Sequence, residues 1–253
     1  MTPENYVVAL PPNPHGQDYF VGDLHGRYQP LMMQLAEVGF DFTRDRLICV
    51  GDLLDRGEQS EQVVALLDQA WFFAVRGNHE QFILDQYEPE RIMLNGEYAN
   101  HSPREIHQKM AAFESDWFYA LDQRQQQAIA HKLMPLPYAL VVPIAGYRIG
   151  VCHAAVPSGY SNWADFIEGL ALRNTRELTI RTRKIAQNLA KGKDRVLSGI
   201  DYTLHGHCTF AQPLFGQTSG FIDTFDCSGR LTLVSSQALI ERIKGAETSR
   251  LDG

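Results

Sequence analysis

A chain of 253 residues with 44% hydrophobic residues can bury a sizeable core, as one large domain or two small ones. Its formal charge of −7 argues against a dedicated nucleic-acid binder, which shows a basic face, and no stretch reaches the roughly 18–20 uninterrupted apolar residues of a membrane helix. The opening Met1-Thr2-Pro3-Glu4-Asn5 lacks the basic-then-apolar order of a secretory signal, and Cys49, Cys152, Cys208 and Cys227 form no Cys-x-x-Cys pair, so the chain reads as a cytoplasmic protein with reduced thiols in its core.

The N-terminal third alternates strand and helix signals. Tyr19-Phe20-Val21 is a short apolar run ending in Gly22-Asp23, after which Pro30 opens a helical pattern through Leu31, Met32, Leu35 and Val38. Leu47-Ile48-Cys49-Val50 is a second strand ending in Gly51-Asp52, and Ser60 is placed to cap the helix carrying Val63, Val64, Leu66 and Leu67. Trp71-Phe72-Phe73-Ala74-Val75 is a third strand, ending near Gly77-Asn78. Three strand–loop–helix units in succession imply parallel pairing with right-handed crossovers.

From about 80 to 134 the pattern is helical, with Ile106, Met110 and Phe113 on one face and Trp117, Phe118 and Leu121 on another. The second half turns β-rich: Tyr138 to Val142, Tyr147 to Cys152, Tyr202 to Leu204, Phe221-Ile222 and Leu231 to Val234, with a basic helical stretch from Arg173 to Lys193 among them. A single mixed α/β domain over residues 1–243 is expected, followed by a frayed polar tail over 244–253. Its loops follow strand ends, where open sheets place their ligands.

Those strand ends carry the chemistry. The first three read Gly22-Asp23-Leu24-His25-Gly26-Arg27, Gly51-Asp52-Leu53-Leu54-Asp55-Arg56-Gly57 and Arg76-Gly77-Asn78-His79-Glu80; two later histidines follow apolar runs in Val151-Cys152-His153 and Leu204-His205-Gly206-His207. Neighbouring glycines permit tight turns and close backbone approach. Carboxylate oxygen mixed with imidazole nitrogen suits Mn²⁺, Fe²⁺ or Zn²⁺. One ion would leave ligands over, whereas two ions about 3.5–4 Å apart, sharing a carboxylate, would use them all.

The order Asp-x-His-Gly, Gly-Asp-x-x-Asp-Arg-Gly, Gly-Asn-His-Glu resembles the signature of the calcineurin-like metallophosphoesterases, and within them the serine/threonine phosphoprotein phosphatase branch. Trp71 to Glu80, Asp116-Trp117-Phe118, Gly206-His207 and Ile222-Asp223-Thr224 resemble its small bacterial and phage members of the lambda type, so the likeness spans Tyr19 to Val234. It implies a sandwich of two mixed β-sheets flanked by helices, with the dimetal site at the C-terminal strand ends. By the same resemblance Asp23 and His25 bind the first ion, Asp52 bridges both, and Asn78, His153 and His207 complete the ligands of the second ion. His79 is then the general acid, oriented by Asp55. Arg56 grips the phosphate, together with Asn78 and an arginine for which Arg181 is the choice. The tryptophan of the family's Trp-x-Arg segment is missing at Ile180-Arg181-Thr182-Arg183, which leaves Arg183 and Arg176 open.

The chemistry asks for these residue types in its own right. A phosphate monoester is dianionic and repels an attacking hydroxide; two cations, Mn²⁺ first with Fe or Zn as alternatives, screen that charge and lower the pKa of a bridging water toward neutrality. Arginine's planar fork holds phosphate oxygens in line, and an imidazolium protonates the departing oxygen.

Plainer roles are expected for several neighbours. Arg76 and Glu80 brace their loop through ion pairs, Trp117 and Phe118 are core, and His15, His101, His107 and His131 are solvated or helix-surface residues; His207, after its glycine, is preferred to His205 as the ligand, with the choice between the two left open. Phe225 stands where lambda-type relatives often have glycine, and 95–107 also departs from them. The expectation is a phosphomonoester hydrolase acting on phosphoserine or phosphothreonine in proteins, with no obligate partner. Hydrolysis of dinucleoside polyphosphates on the same metal centre is the alternative, and a non-catalytic phosphate-binding module is the third reading.

Overall fold

The structure, a computed structural model, describes residues 6–87 and 114–251. Ile106, Met110, Phe113, His101, His107 and the departure over 95–107 lie outside the described residues. Two sheets face one another. One has four strands in the order β10-β2-β3-β4, from Asp18–Val21 (β2), Arg46–Cys49 (β3), Phe72–Ala74 (β4) and Leu233–Ser235 (β10). The other has six in the order β1-β5-β6-β7-β9-β8, from Val7–Ala9 (β1), Ala139–Ile144 (β5), Tyr147–Val151 (β6), Tyr202–His205 (β7), Leu214–Phe215 (β8) and Ser219–Phe221 (β9).

Period-two alternation builds the sandwich. In β2 and β3, Phe20 and Ile48 point between the sheets, where they join Leu140, Val142, Ile149, Val151, Tyr202 and Leu204. Their neighbours Tyr19, Val21, Leu47 and Cys49 point the other way, against Leu31 and Leu35 of the helix Tyr28–Glu37 (α1). The outer face of the six-stranded sheet is covered likewise by Trp163, Phe166, Leu170 and Ile180. β2, β3 and β4 run parallel with Val21 beside Cys49 and Cys49 beside Ala74, so their C-terminal ends are level. β6 and β7 are parallel too, with Val151 beside Leu204. The loops that follow all five strands therefore open on one edge of the sandwich.

The mixed sandwich with flanking helices is the expected architecture, and several boundaries move. β1 and β8 are additional strands that pair at the edges. Ser60 opens the helix Ser60–Ala65 (α2) from inside its first turn; its Oγ accepts the Asp55 N–H at 3.0 Å, so it is no cap for its own helix. The helix Asn78–Tyr87 (α3) starts on the third motif itself. The helical middle resumes at Asp116–Tyr119 (α4) and Gln123–Leu133 (α5), the latter closed by a reciprocal box between Asp122 and Gln125. Arg173–Arg181 (α6) and Lys184–Ala190 (α7) carry the basic stretch. Where the sequence reads as a polar tail, the helix Ser236–Leu251 (α8) continues. Cys49, Cys152 and Cys208 are buried thiols, whereas Cys227 is exposed. No helix among the described residues is long and apolar enough to cross a membrane.

Candidate active site

Of seven non-glycine residues with positive φ among the described residues, five fall on the strand-end motifs: His25 (40°), Asp52 (49°), Asp55 (72°), Arg56 (63°) and His207 (64°). Left-handed backbone is uncommon for such residues, and its concentration at one edge is the pattern of a functional site. Two glycines let these loops close up. A Cβ on Gly77 would fall 2.1 Å from Asp52 Oδ1, and one on Gly206 would fall 1.8 Å from Asp23 Oδ1.

Asp52 is the centre. Its Oδ1 accepts the His79 backbone N–H at 3.1 Å, while Oδ2 faces His153 Nε2 at 3.2 Å, His25 Nε2 at 3.7 Å and His79 Nε2 at 3.9 Å. Two groups of potential ligands share it, His25–Asp52–His79 and Asp52–His153–His207, with the ligand atoms of each group within 4.8 Å of one another. Asp23 lies alongside: Oδ2 accepts the His207 backbone N–H at 2.9 Å, and Oδ1 is buried without a hydrogen-bond partner.

The hydrogen bonds on the far side of each ring select the atom that faces the centre. His25 Nδ1 meets the Leu54 carbonyl at 3.0 Å and His153 Nδ1 the Val50 carbonyl at 2.9 Å, so both present Nε2 inward. His207 Nε2 meets the Arg181 carbonyl at 3.2 Å, which turns Nδ1 inward. His153 Nε2 also has Asn78 Oδ1 only 3.1 Å away. Lone pairs converging on one space, an orphaned carboxylate oxygen and a mixed O/N donor set fit divalent cations such as Mn²⁺, Fe²⁺ or Zn²⁺. Burial takes His25 and His207 down to about 3, so both rings are neutral and able to donate a lone pair. Asp52 is well below the usual carboxylate range: burial works against its charge, and His153 and His79 outweigh it.

His79 differs from the other rings in the partner of its Nδ1, which is bonded at 2.7 Å to a carboxylate, Asp55 Oδ2, rather than to a carbonyl. Burial disfavours a charge there, yet Asp52 and then Asp55 raise the ring above its ordinary value, which favours imidazolium; against burial, Asp52 raises His153 as well. Asp55 is fully buried, and its other oxygen accepts the indole N–H of Trp117. Trp117 is therefore no mere core residue, although Phe118 beside it is buried as expected. Arg56 Nη1 is tied to Asp226 Oδ2 at 2.7 Å.

Glu80 braces the motifs, but through backbone amides: its carboxylate accepts N–H bonds from Asp52 (3.0 Å), Leu53 (2.8 Å) and Gly77 (2.7 Å). Arg76, fully buried, reaches the Gln81 side chain and the Met134 carbonyl. His205 is a satisfied core histidine, with Nδ1 2.9 Å from the Cys152 carbonyl and Nε2 2.9 Å from Thr203 Oγ1. Asp223, which sequence reasoning assigned no role, is a further buried carboxylate; Thr209 donates to it at 2.6 Å, and after burial its charge is the next cause that raises Asp23.

The three candidate arginines of 173–183 separate. Arg176 bonds the Leu170 and Ala171 carbonyls and lies 4.6 Å over the Tyr6 ring, away from the site. Arg181 Nε donates to Glu177 at 2.9 Å, and its charge is felt at Asp85. The charge of Arg183 is felt at His207 and Cys208.

Comparison with known proteins agrees with this geometry. The calcineurin-like phosphoesterase profile matches residues 19–207. "Serine/threonine-protein phosphatase 2" of Escherichia coli is 31% identical over 85% of this chain and 90% of its own, and "Serine/threonine-protein phosphatase 1" of Salmonella typhimurium is 29% identical over 94% of this chain and 100% of its own. A "Bis(5'-nucleosyl)-tetraphosphatase, symmetrical" of Pseudomonas fluorescens is 44% identical, over 26% of this chain and 24% of its own. Among solved structures, a protein provisionally described as a diadenosine tetraphosphatase superposes with a TM-score of 0.56 at 21% identity, over 91% of this chain and 93% of its own. A serine/threonine phosphatase of Saccharomyces cerevisiae gives 0.54 at 16%, over 86% and 70%. At these identities the superpositions speak for the fold alone. Motif order, the shared carboxylate, the ring orientations and the relatives matched over most of their length converge: the chain belongs to the calcineurin-like phosphoesterases and is a hydrolase of phosphoric esters.

Proposed function

We propose that this protein is a serine/threonine phosphoprotein phosphatase that removes phosphate from protein side chains in a single displacement. The observation that carries the reading is the His79–Asp55 pair standing against the shared carboxylate of Asp52. Two divalent cations, when bound, supply the positive charge that screens the phosphate dianion and acidifies a water for attack. Asp23, His25, Asp52, Asn78, His153 and His207 would hold them, Mn²⁺ being the first choice and Fe or Zn the alternatives.

The chain's own groups do the rest. Arg56 binds phosphate oxygens with a planar guanidinium, Asn78 adds an amide at the same edge, and Arg183, whose charge is felt at His207, is the second arginine in place of Arg181. Asp55 keeps Nδ1–H of His79 in place and favours the charged ring, so that Nε2–H is turned toward the centre. That proton passes to the departing seryl or threonyl oxygen, a step typically worth about 10²–10⁴ in rate. Asp55 orients the ring as the carboxylate does beside a catalytic histidine.

Hydrolysis of dinucleoside polyphosphates is the rival reading, supported by relatives that match about a quarter of the chain. The full-length relatives support the phosphoprotein reading instead. Assaying the Mn²⁺-loaded enzyme on a phosphoserine peptide beside diadenosine tetraphosphate decides between them: kcat/KM higher for the peptide is expected, and the reverse order transfers the assignment. His79→Asn on the peptide should lower kcat by about 10²–10⁴ with both cations retained; wild-type kinetics in that variant would remove the acid role.

A further inference from the structure

Arg56 and Asp226 are 170 residues apart in sequence and 2.7 Å apart in space, Nη1 to Oδ2. The other carboxylate oxygen of Asp226, Oδ1, is 3.5 Å from Arg27 Nη2, and the Arg27 guanidinium lies 4.7 Å over the ring of Phe225. One carboxylate thus sits between two arginines, one on the loop after β2 and the other on the loop after β3. The side chains of Arg56 and Asp226 are each about two-thirds shielded, at 34% exposure. The left-handed backbone of Arg56 sets its side chain at the rim, where its charge is felt by Asp23, His25 and His79. Phe225, whose ring carries the Arg27 guanidinium, stands where the phosphatases this chain resembles often have glycine.

We propose that Asp226 is an internal competitor for the Arg56 guanidinium, which the phosphate of a substrate must displace, and that it thereby sets how tightly the site holds phosphate. The proposal rests on the reading of Arg56 as a phosphate-binding residue. A carboxylate offers the same kind of oxygen pair as phosphate, with one negative charge against two, so phosphate wins the guanidinium but only by the difference. Arg27, already over Phe225 and facing Oδ1, keeps the released carboxylate from being left alone beside the incoming dianion. Partly exposed ion pairs of this kind are worth about twofold to fivefold in an equilibrium constant.

Calorimetric binding of inorganic phosphate to the full-length, Mn²⁺-loaded protein tests it in a double-mutant cycle. Asp226→Asn should tighten phosphate about twofold to fivefold, Arg56→Ala should weaken it, and Asp226→Asn should have no effect in the Arg56→Ala background; Asp226→Ala should repeat the Asp226→Asn result. If Arg56→Ala weakens phosphate while both Asp226 variants leave it unchanged, the competitor role is wrong. Equal tightening with and without Arg56 overturns it as well, because that reports a distant charge rather than competition. If Arg56→Ala itself does not weaken phosphate, the clamp reading fails and takes the proposal with it.

Discussion

Trp117 Nε1 donates to Asp55 Oδ1 at 2.8 Å, while the second oxygen of the same carboxylate holds His79 Nδ1 at 2.7 Å. The indole comes from α4, far along the chain from either partner, and fixes the plane of a fully buried carboxylate. A hydrogen bond to a charged group contributes about 1.5–3 kcal/mol, so Trp117→Phe, which keeps the ring and deletes the donor, should lower kcat on a phosphoserine peptide roughly tenfold or more. A p-nitrophenolate leaving group needs little protonation, so p-nitrophenyl phosphate should suffer much less. Equal losses on the two substrates, or none on either, would count against Trp117 acting through the acid.

Arg183→Ala should raise KM for phosphopeptide severalfold with the cation content unchanged, since Arg183 is the arginine of its segment whose charge reaches His207. Arg181→Ala should leave KM and kcat close to wild type, its side chain being engaged with Glu177. Steady-state kinetics of the two variants side by side suffice. The opposite ranking would return the phosphate contact to Arg181.

Asp85, packed on α3, has its carboxyl pushed up from 3.8 to about 6 by burial, against a hydrogen bond from Gln81. The folded state therefore binds this proton more tightly than the unfolded chain does. The stability it contributes is fully present below about pH 4 and is lost as pH rises through about 6, a loss of order 2 kcal/mol. Asp85→Asn keeps an acceptor for Gln81 and carries no charge, so it should melt above wild type at pH 8 and converge with it near pH 4. Melting curves over that range check the sign; a variant less stable at pH 8 contradicts it.

The loops that carry the proposed ligands come from both sheets, Asp23, His25, Asp52 and Asn78 following β2, β3 and β4, and His153 and His207 following β6 and β7. Cation binding should therefore join the two halves of the sandwich. A ligand that binds only the folded state contributes about 2.7 kcal/mol at a hundredfold excess over Kd, which for a domain of this size raises Tm by roughly 5–10 °C. Scanning calorimetry of chelator-treated protein with and without Mn²⁺ measures this, and an unmoved Tm would deny that these loops share an ion.

The parallel strands and their terminal motifs were legible because buried strands write themselves as runs such as Leu47-Ile48-Cys49-Val50, and the glycines beside them mark where backbone must approach a side chain. His207 could be preferred over His205 from the preceding glycine; the structure adds the reason, since His205 spends both ring nitrogens on Cys152 and Thr203. Other features were not legible. A tryptophan in a helical pattern gives no sign that its N–H, rather than its ring, is the important part. Asp226 met Arg56 only through the close of the fold, which local pattern cannot foresee. Glu80 was rightly read as a brace, but its partners are backbone amides, and no side-chain pattern announces those. The short edge strands β1 and β8 lack the length that periodicity requires.

His207 lies more than a hundred residues after His79, so the two groups that share the Asp52 carboxylate meet only once both sheets have been made and packed together. On the proposed reading, the order of chain synthesis places completion of the scaffold ahead of any release of phosphate.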